Sequence, residues 1–179
     1  MRIISGTYKG RRITAPKTLP VRPTTDLAKE SLFNILHNRI DFDEISVLDL
    51  FSGSGNISFE FASRGVPEIT SVDAHFGCVK FIQKIAEEFS FPITAIKADT
   101  YKYIGTTKAT YDLIFADPPY DFLKEKFIEI VDNILTNKLL KTDGVLIIEH
   151  SKHTDLSAHT NFTEGRRYGG SVFSFFEAN

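Results

Sequence analysis

The tetrapeptide Asp117-Pro118-Pro119-Tyr120 directly follows a short apolar run and combines residue types that can hold an amine. Prolines have no backbone N–H and fix an extended turn, so the Pro118 carbonyl is free to accept a hydrogen bond. Together with the Asp117 carboxylate it offers two neighbouring acceptors. A planar amine that donates both hydrogens to them would be held in one orientation, while Tyr120 stacks on the attached base. The alternative is a proline-rich turn that only caps the next helix.

A glycine-rich turn follows the apolar run 47–50 and opens the next helical stretch. Glycine permits backbone conformations that other residues avoid, and it lets a ligand approach the main chain closely. The turn therefore predicts a site for a nucleoside-bearing cofactor, although an ordinary strand-to-helix turn remains open. Ser58 at the third position of Gly-x-Gly-x-x-Gly disfavours a dinucleotide. The candidate cofactor residues here are Asp49, Phe51, Gly53, Ser54 and Gly55.

Two further acidic residues, Asp73 and Asp99, stand at the ends of the next two apolar runs. Ligands of open α/β sheets bind beyond the carboxyl ends of the strands, so Asp49, Asp73 and Asp99 are predicted to converge on one crevice. At the position of Asp73 a carboxylate can accept hydrogen bonds from both hydroxyls of a ribose. Each carboxylate could otherwise cap a helix.

The apolar runs predict the elements that position these residues. Runs rich in β-branched residues alternate with stretches of helical periodicity, which favours an α/β fold with a mostly parallel sheet and helices on both faces. The predicted strands are 45–50, 69–72, 93–98, 111–116 and 145–148, and the predicted helices are 57–63, 76–89 and 123–135. Strands 161–168 and 171–177 form a predicted hairpin around Gly169-Gly170 at the sheet edge.

The first 44 residues differ in character from residues 45–179. Residues 1–30 carry a surplus of five positive charges, whereas the remainder has a net charge of −7. We expect a small hairpin around Lys9-Gly10, an extended stretch with three prolines, and a helix that Thr24 or Thr25 caps and that runs to about His37. This basic arm could meet phosphates; a solvated terminal segment is the alternative.

Composition excludes several other kinds of protein. Cys78 is the only cysteine, so the chain cannot form an internal disulfide, a metal-binding cysteine cluster or a redox pair. The hydrophobic fraction of 42% can build a core, which disfavours disorder. No apolar stretch approaches the roughly 20 residues that span a bilayer, and the first residues lack the apolar segment of a signal peptide. We therefore expect a cytoplasmic protein without a membrane partner.

The glycine-rich turn and the Asp-Pro-Pro-Tyr tetrapeptide, in this order, resemble motifs I and IV of the class I amino-methyltransferases. Nearly the whole chain resembles the RsmD family of 16S rRNA guanine-N2 methyltransferases, most specifically in its N-terminal motifs. Leu27 stands where the family would have arginine, and Asp73 stands where it often has glutamate. The motifs are Arg2-Ile3-Ile4-Ser5-Gly6, Gly10-Arg11-Arg12, Arg22-Pro23-Thr24-Thr25-Asp26, Lys29-Glu30, Leu32-Phe33-Asn34 and Tyr168-Gly169-Gly170.

The resemblance implies a Rossmann-like seven-stranded sheet in which residues 45–179 form the methyltransferase domain and bind S-adenosyl-L-methionine. Asp49 and the backbone of residues 53–55 would face the methionine portion, Asp73 the ribose and Asp99 the adenine amine. No metal is expected, because a sulfonium is already an activated leaving group.

The resemblance also implies the substrate side of the site. Asp117, Pro118 and Tyr120 would hold the target guanine of ribosomal RNA, which is either free or in an assembling small subunit. For the oligomeric state, a monomer is favoured. The residues expected to contact the RNA are Arg2, Lys9, Arg11, Arg12 and Arg22.

Other functions remain open. An N6-adenine methyltransferase acting on RNA or DNA carries the same tetrapeptide, but adjacent N1–H and N2–H donors make guanine the better partner for a carboxylate. A sequence-specific DNA enzyme usually needs a separate recognition domain, for which 179 residues leave no room. A noncatalytic RNA-binding module would not need an intact tetrapeptide, and a nucleotide-dependent oxidoreductase would not need its prolines. A glutamine-modifying methyltransferase usually has asparagine in place of Asp117.

Overall fold

The computed structural model describes residues 1–21 and 24–178, whose strands form one seven-stranded sheet. In chain order the strands are β1 (Ser46–Leu50), β2 (Glu68–Asp73), β3 (Ile93–Lys97), β4 (Tyr111–Ala116), β5 (Leu140–Ser151), β6 (Phe162–Tyr168) and β7 (Ser171–Glu177). Their spatial order is β3-β2-β1-β4-β5-β7-β6. Strands β1 to β5 are parallel, whereas β7 is antiparallel to both β5 and β6. The predicted Rossmann-like fold is confirmed.

Among the described residues, five α-helices accompany the sheet: α1 (Asp26–His37), α2 (Asn56–Ser63), α3 (Phe76–Phe89), α4 (Thr100–Thr106) and α5 (Lys124–Thr136). Thr25 caps α1 by accepting a hydrogen bond from the Ala28 N–H. Helix α4 is absent from the predicted elements because its seven residues are too few to show a clear apolar period. Within the described part of the chain, no helix has the length and apolarity needed to cross a bilayer.

The central strands of the sheet are buried on both faces, which explains why they are continuous apolar runs. Successive residues of β4 alternate between two cores: Leu113 and Phe115 pack with α1 to α3, and Ile114 and Ala116 pack with α4 and α5. Strand β5 begins five residues earlier than predicted, because Leu140 also pairs with Tyr111 of β4, before an irregularity in the register that precedes the Leu113–Val145 pair.

The N-terminal hairpin is held by backbone hydrogen bonds around a single antiparallel bridge and does not form two regular strands. Its backbone bonds join Ile3 N–H to the Arg11 carbonyl at 2.9 Å and Ile13 N–H to the Met1 carbonyl at 3.0 Å, and Arg2 and Arg12 form an isolated antiparallel bridge. Ile3 and Ile13 are buried in the same core as α1 to α3. The hairpin is therefore fixed by packing on the body of the protein. The division of the chain after residue 44 stays a prediction.

A buried ion pair between Lys29 of α1 and Glu60 of α2 fixes this packing. Both side chains are about 1% exposed or less, and Lys29 Nζ lies 3.3 Å from Glu60 Oε2. Glu60 also accepts hydrogen bonds from the backbone N–H groups of Ile4 and Ser5 and from Arg64 Nε. Burial lowers the pKa of the Lys29 ammonium, and the Glu60 carboxylate opposes that shift. The pair is thus stabilised by donors on three chain segments.

Replacing Lys29 by methionine should lower the free energy of unfolding by about 3 kcal/mol, because Glu60 would remain buried and charged without one of its two cations. Arg64 still faces Glu60, so the loss should lie at the lower end for a broken buried pair. Urea unfolding measures the effect. Lys80→Met, on an exposed position of α3, is the matched control and should change stability by about 0.5 kcal/mol at most. Equal unfolding midpoints for the two variants would contradict this role of the pair.

Candidate active site

A cavity of about 600 Å³ opens at the carboxyl ends of β1 to β4 and contains most of the predicted site residues. Because parallel strands end at the same edge of the sheet, side chains that follow different strands meet there. Gly55 is the one predicted cofactor residue that does not line the cavity wall. The predicted residues on the wall are Asp49, Phe51, Gly53, Ser54, Asp73, Asp99, Asp117, Pro118 and Tyr120.

The glycine-rich turn takes a conformation that its glycines make possible. Gly53 and Gly55 have φ of 53° and 80°, in the left-handed region that favours glycine. A Cβ on Gly55 would come within 2.8 Å of the Phe59 ring, so this glycine serves the close packing of α2 on the turn. Gly53 N–H donates a hydrogen bond to Asp73 Oδ2 at 2.8 Å. The ends of β1 and β2 are thereby locked to each other.

Asp49 lies beneath the turn as an almost completely buried carboxyl group, 2% exposed. Its Oδ2 accepts a hydrogen bond from Ser58 Oγ at 2.5 Å, and Ser58 Oγ lies 2.6 Å from Ser71 Oγ. Burial raises the pKa of Asp49 to about 7, against the effect of the Ser58 hydrogen bond. A cationic group that enters the cavity would favour the ionised carboxylate.

Asp73 and Asp99 have structural partners as well as faces on the cavity. Asp73 Oδ1 accepts a hydrogen bond from His75 N–H at 2.8 Å, while its Oδ2 holds the glycine-rich turn. Asp99 Oδ1 accepts from Lys102 N–H at 3.0 Å and caps α4. Each carboxylate oxygen can accept more than one hydrogen bond. Both residues are therefore oriented by the backbone and can still receive ligand hydroxyl or amine donors.

Asp117 is oriented differently, because its carboxylate receives no hydrogen bond from any described residue. It follows β4 directly and lines the cavity. Burial raises the pKa of Asp117 well above its ordinary value, and the neighbouring carboxylates of Glu149 and Asp49 raise it further. The adjacent Pro118 carbonyl likewise accepts no hydrogen bond from the described part of the chain. Two acceptors are thus left for a ligand.

Glu149 of β5 is a residue of this site that the sequence reasoning missed. It is 1% exposed and lies behind the tetrapeptide, where Oε1 accepts from the Tyr120 hydroxyl at 3.1 Å and Oε2 from the Thr24 hydroxyl at 2.8 Å. The Tyr120 hydroxyl is also 3.0 Å from Ser171 Oγ. Burial raises the pKa of Glu149, against these hydrogen bonds. A carboxylate at the end of the apolar run 145–148, beside β4, was the available signal.

The four predicted RNA-contacting residues that the structure describes do not line the cavity. Arg2 and Arg12 face each other in the hairpin bridge, and Arg2 Nε lies 3.3 Å from Asp26 Oδ2 at the start of α1. Lys9 is exposed in the hairpin turn, and the Arg11 guanidinium lies 5.4 Å from the centre of the Phe89 ring, at the last residue of α3. The fifth predicted residue, Arg22, lies outside the described residues.

Comparisons with known proteins agree with the fold and the site. The family described as conserved hypothetical protein 95 matches residues 1–177. The ribosomal RNA small subunit methyltransferase D of Buchnera aphidicola subsp. Baizongia pistaciae is 33% identical over 150 residues, which cover 83% of this chain and 75% of that protein. The putative rRNA methyltransferase YlbH of Bacillus subtilis is 34% identical over 165 residues, covering 87% of this chain and 85% of that protein.

The same agreement extends to three dimensions. The structure of the putative methyltransferase yhhF from Escherichia coli superposes with a TM-score of 0.83 over 100% of this chain and 99% of that chain, at 22% sequence identity. That likeness supports the class I methyltransferase fold. With the family match and the two relatives, it confirms the predicted family and class of enzyme: the chain belongs to the conserved hypothetical protein 95 family and is an S-adenosylmethionine-dependent methyltransferase.

Proposed function

We propose that this methyltransferase modifies the exocyclic N2 amine of a guanine in 16S ribosomal RNA. The observation that carries the proposal is the pair of acceptors at the cavity wall, the Asp117 carboxylate and the Pro118 carbonyl, neither of which is used by the described part of the protein. The small-subunit ribosomal RNA in the name of the Buchnera relative supports the class of substrate. Such a protein meets its RNA in the cytoplasm.

The residues of the cavity fit S-adenosylmethionine, whose sulfonium supplies an electrophilic methyl group when it is bound. Asp49, whose pKa is raised to about 7 by burial, is suited to face the positively charged methionine end, which would favour the ionised carboxylate. Asp73 can accept from ribose hydroxyls while it holds Gly53, and Asp99 can accept from the adenine amine while it caps α4. The fully buried Asp49 and the backbone-anchored Asp73 and Asp99 need little rearrangement on binding, which favours affinity.

Asp117 has two tasks in this proposal. Its ionised carboxylate and the Pro118 carbonyl hold the two N2 hydrogens, so that the nitrogen points at the methyl donor. The amine becomes acidic only as the methyl group arrives, and Asp117 can then take the proton that the nitrogen loses. The raised pKa of Asp117, caused by burial and by Glu149 and Asp49, suits a group that accepts a proton late in the reaction.

Guanine is preferred over adenine because of its hydrogen-bonding edge. Guanine presents N1–H beside N2–H, two donors that match one carboxylate, whereas adenine presents a donor beside an acceptor. Mass mapping of ribosomal RNA from a strain that lacks this gene tests both the substrate and the base. Loss of one methyl group at one guanine of 16S rRNA supports the proposal. An unmethylated adenine, or unchanged ribosomal RNA, would contradict it.

Replacing Asp117 by alanine should abolish methyl transfer and leave the affinity for S-adenosylmethionine within a few-fold, because the side chain is proposed to contact the base. Transfer of radiolabelled methyl groups and calorimetric cofactor binding measure the two effects. Asp121→Ala, at an exposed position in the same loop, is the matched control and should retain both properties. Substantial turnover by the Asp117 variant would remove this residue from the mechanism.

Replacing Asp73 by alanine should weaken cofactor binding by about 1–3 kcal/mol, the usual cost of hydrogen-bonding groups left without a partner. The variant loses the proposed ribose contacts and also the bond that fixes Gly53. Calorimetry on folded protein measures the affinity. Asp73→Asn keeps one carbonyl acceptor and should show a smaller loss. If both variants bind the cofactor as tightly as the wild type, Asp73 is only a structural cap.

The N-terminal hairpin is the proposed docking arm for ribosomal RNA, because Arg2, Lys9, Arg11 and Arg12 concentrate positive charge on a segment that packing holds in place. Phosphate contacts release condensed counterions, so the RNA affinity should depend on salt. The remainder of the chain is net negative and offers less general attraction.

Replacing Arg11 and Arg12 together by alanine should weaken binding to 16S rRNA and flatten its salt dependence by roughly one unit of slope. Affinity for S-adenosylmethionine should not change. Filter binding at several salt concentrations, beside a melting curve, gives the result, and Lys108→Ala at an exposed position is the control. A stably folded double variant with the wild-type salt slope would contradict the docking arm.

A further inference from the structure

The turn between β6 and β7, Gly169-Gly170, has an exposed backbone, and packing does not require a glycine at its second position. Gly169 has a φ of 62°, which accounts for a glycine there. Gly170 has no such conformation, and a Cβ added to it would meet no atom within 4 Å. The backbone of the turn is therefore accessible to an approaching molecule, and a side chain at position 170 would be compatible with the fold.

This turn lies beside the target side of the cavity, which is the side that contains Tyr120 and is proposed to receive the base. Ser171, which follows Gly170, places its hydroxyl 3.0 Å from the hydroxyl of Tyr120. On the other side, Lys152 N–H at the end of β5 donates to the Gly170 carbonyl at 3.0 Å. The turn is thus bonded to the strand that carries Glu149 and borders the residue proposed to stack on the base.

Two cationic side chains flank the turn. Arg167 is exposed, and its Nε donates to the Gly169 carbonyl at 3.2 Å, so its guanidinium is held against the turn. Lys152 is exposed at the end of β5. Arg166, by contrast, is engaged in an ion pair with Glu164 at 2.7 Å. Exposed Lys and Arg side chains next to accessible backbone are the groups that contact nucleic-acid phosphates.

We propose that the target-side turn, defined as Lys152, Arg167, Gly169 and Gly170, binds the phosphates that flank the methylated nucleotide. The inference rests on the proposed function, because it assumes an RNA substrate. A base that lies against Tyr120 has its sugar and phosphates at the cavity mouth next to this residue, which is where the turn lies. Binding there fixes the nucleotide on both sides of the reacting base.

The N-terminal hairpin turn lies far from the cavity, which gives it a different role from the target-side turn. Arg11 lies over Phe89 at the end of α3, whereas the cavity lies at the start of this helix, next to His75. Fourteen residues of helix separate the two ends by about 20 Å. The hairpin turn can hold the RNA at a distance from the cavity, whereas the target-side turn borders the residue proposed to stack on the base.

A pair of substitutions at Gly170 tests the phosphate contact by charge alone. Gly170→Asp and Gly170→Asn add side chains of nearly the same shape, and both fit the open space above the turn. Asp should repel phosphates, so we expect it to lower kcat/KM for 16S rRNA transcripts or small ribosomal subunits by about 10-fold or more relative to Asn. Melting temperatures and cofactor affinity should be the same in both.

A second pair of variants removes positive charge. Lys152→Ala with Arg167→Ala should flatten the salt dependence of binding to the 16S rRNA transcript by about 1.4 units of slope, from two lost contacts. Lys84→Ala with Lys108→Ala removes the same charge at exposed positions elsewhere and should leave the slope unchanged. Because RNA affinity is measured directly, the result does not depend on turnover.

The outcomes separate this inference from the proposed function. Wild-type protein that binds the transcript but methylates neither transcript nor subunits would contradict the function and leave the binding comparison valid. Active wild-type protein with equal kcat/KM for Gly170→Asp and Gly170→Asn, and an unaltered salt slope for the Lys152 and Arg167 double variant, would overturn the target-side turn. The inference would also be overturned if the two Gly170 variants and the two double variants all lost activity or RNA affinity and all had lowered melting temperatures. The effect would then be structural.

Discussion

The buried Lys29–Glu60 ion pair is the interaction on which the arrangement of the site depends. Glu60 holds the backbone of the N-terminal hairpin, and Lys29 donates to Asn56 Oδ1 at 2.8 Å. Asn56 in turn donates to the Thr24 carbonyl, whose residue binds Glu149 through its hydroxyl. One chain of polar contacts therefore connects the N-terminal segment, the helix after the glycine-rich turn and the target side of the cavity. Desolvation is compensated only when every partner is present.

The carboxyl groups of the cavity differ in how completely the protein satisfies them. Asp49 is bonded to Ser58, and Asp73 and Asp99 are bonded to backbone N–H groups, whereas Asp117 receives no bond from the described residues. Groups that are anchored keep a fixed position for a bound cofactor. Asp117, to which no described residue donates, is the group proposed to hold the reacting amine, and burial and its acidic neighbours raise its pKa.

Glu149 and Tyr120 connect the part of the site around Asp117 with other segments of the chain. The Glu149 carboxylate fixes the Tyr120 hydroxyl and adds negative charge beside Asp117. Tyr120 keeps an exposed ring while its hydroxyl is held, so it can stack on a base without losing its orientation. Through Ser171 the same hydroxyl reaches the hairpin of β6 and β7. Positions that are distant in sequence are thus joined around the proposed site of the target base.

The sequence by itself determined the strands, most helices and the acidic residues at the strand ends, because periodicity and strand-end chemistry are local signals. It also indicated the tetrapeptide and the glycine-rich turn, whose residue types limit the backbone directly. The tertiary structure decided the role of Glu149, the orientation of the N-terminal hairpin on the body of the protein, and the position of the Gly169-Gly170 turn. The physical reason is that these features arise from nonlocal contacts, such as the one between Thr24 and Glu149, which are 125 residues apart. No local pattern encodes which distant polar group will satisfy a buried carboxylate.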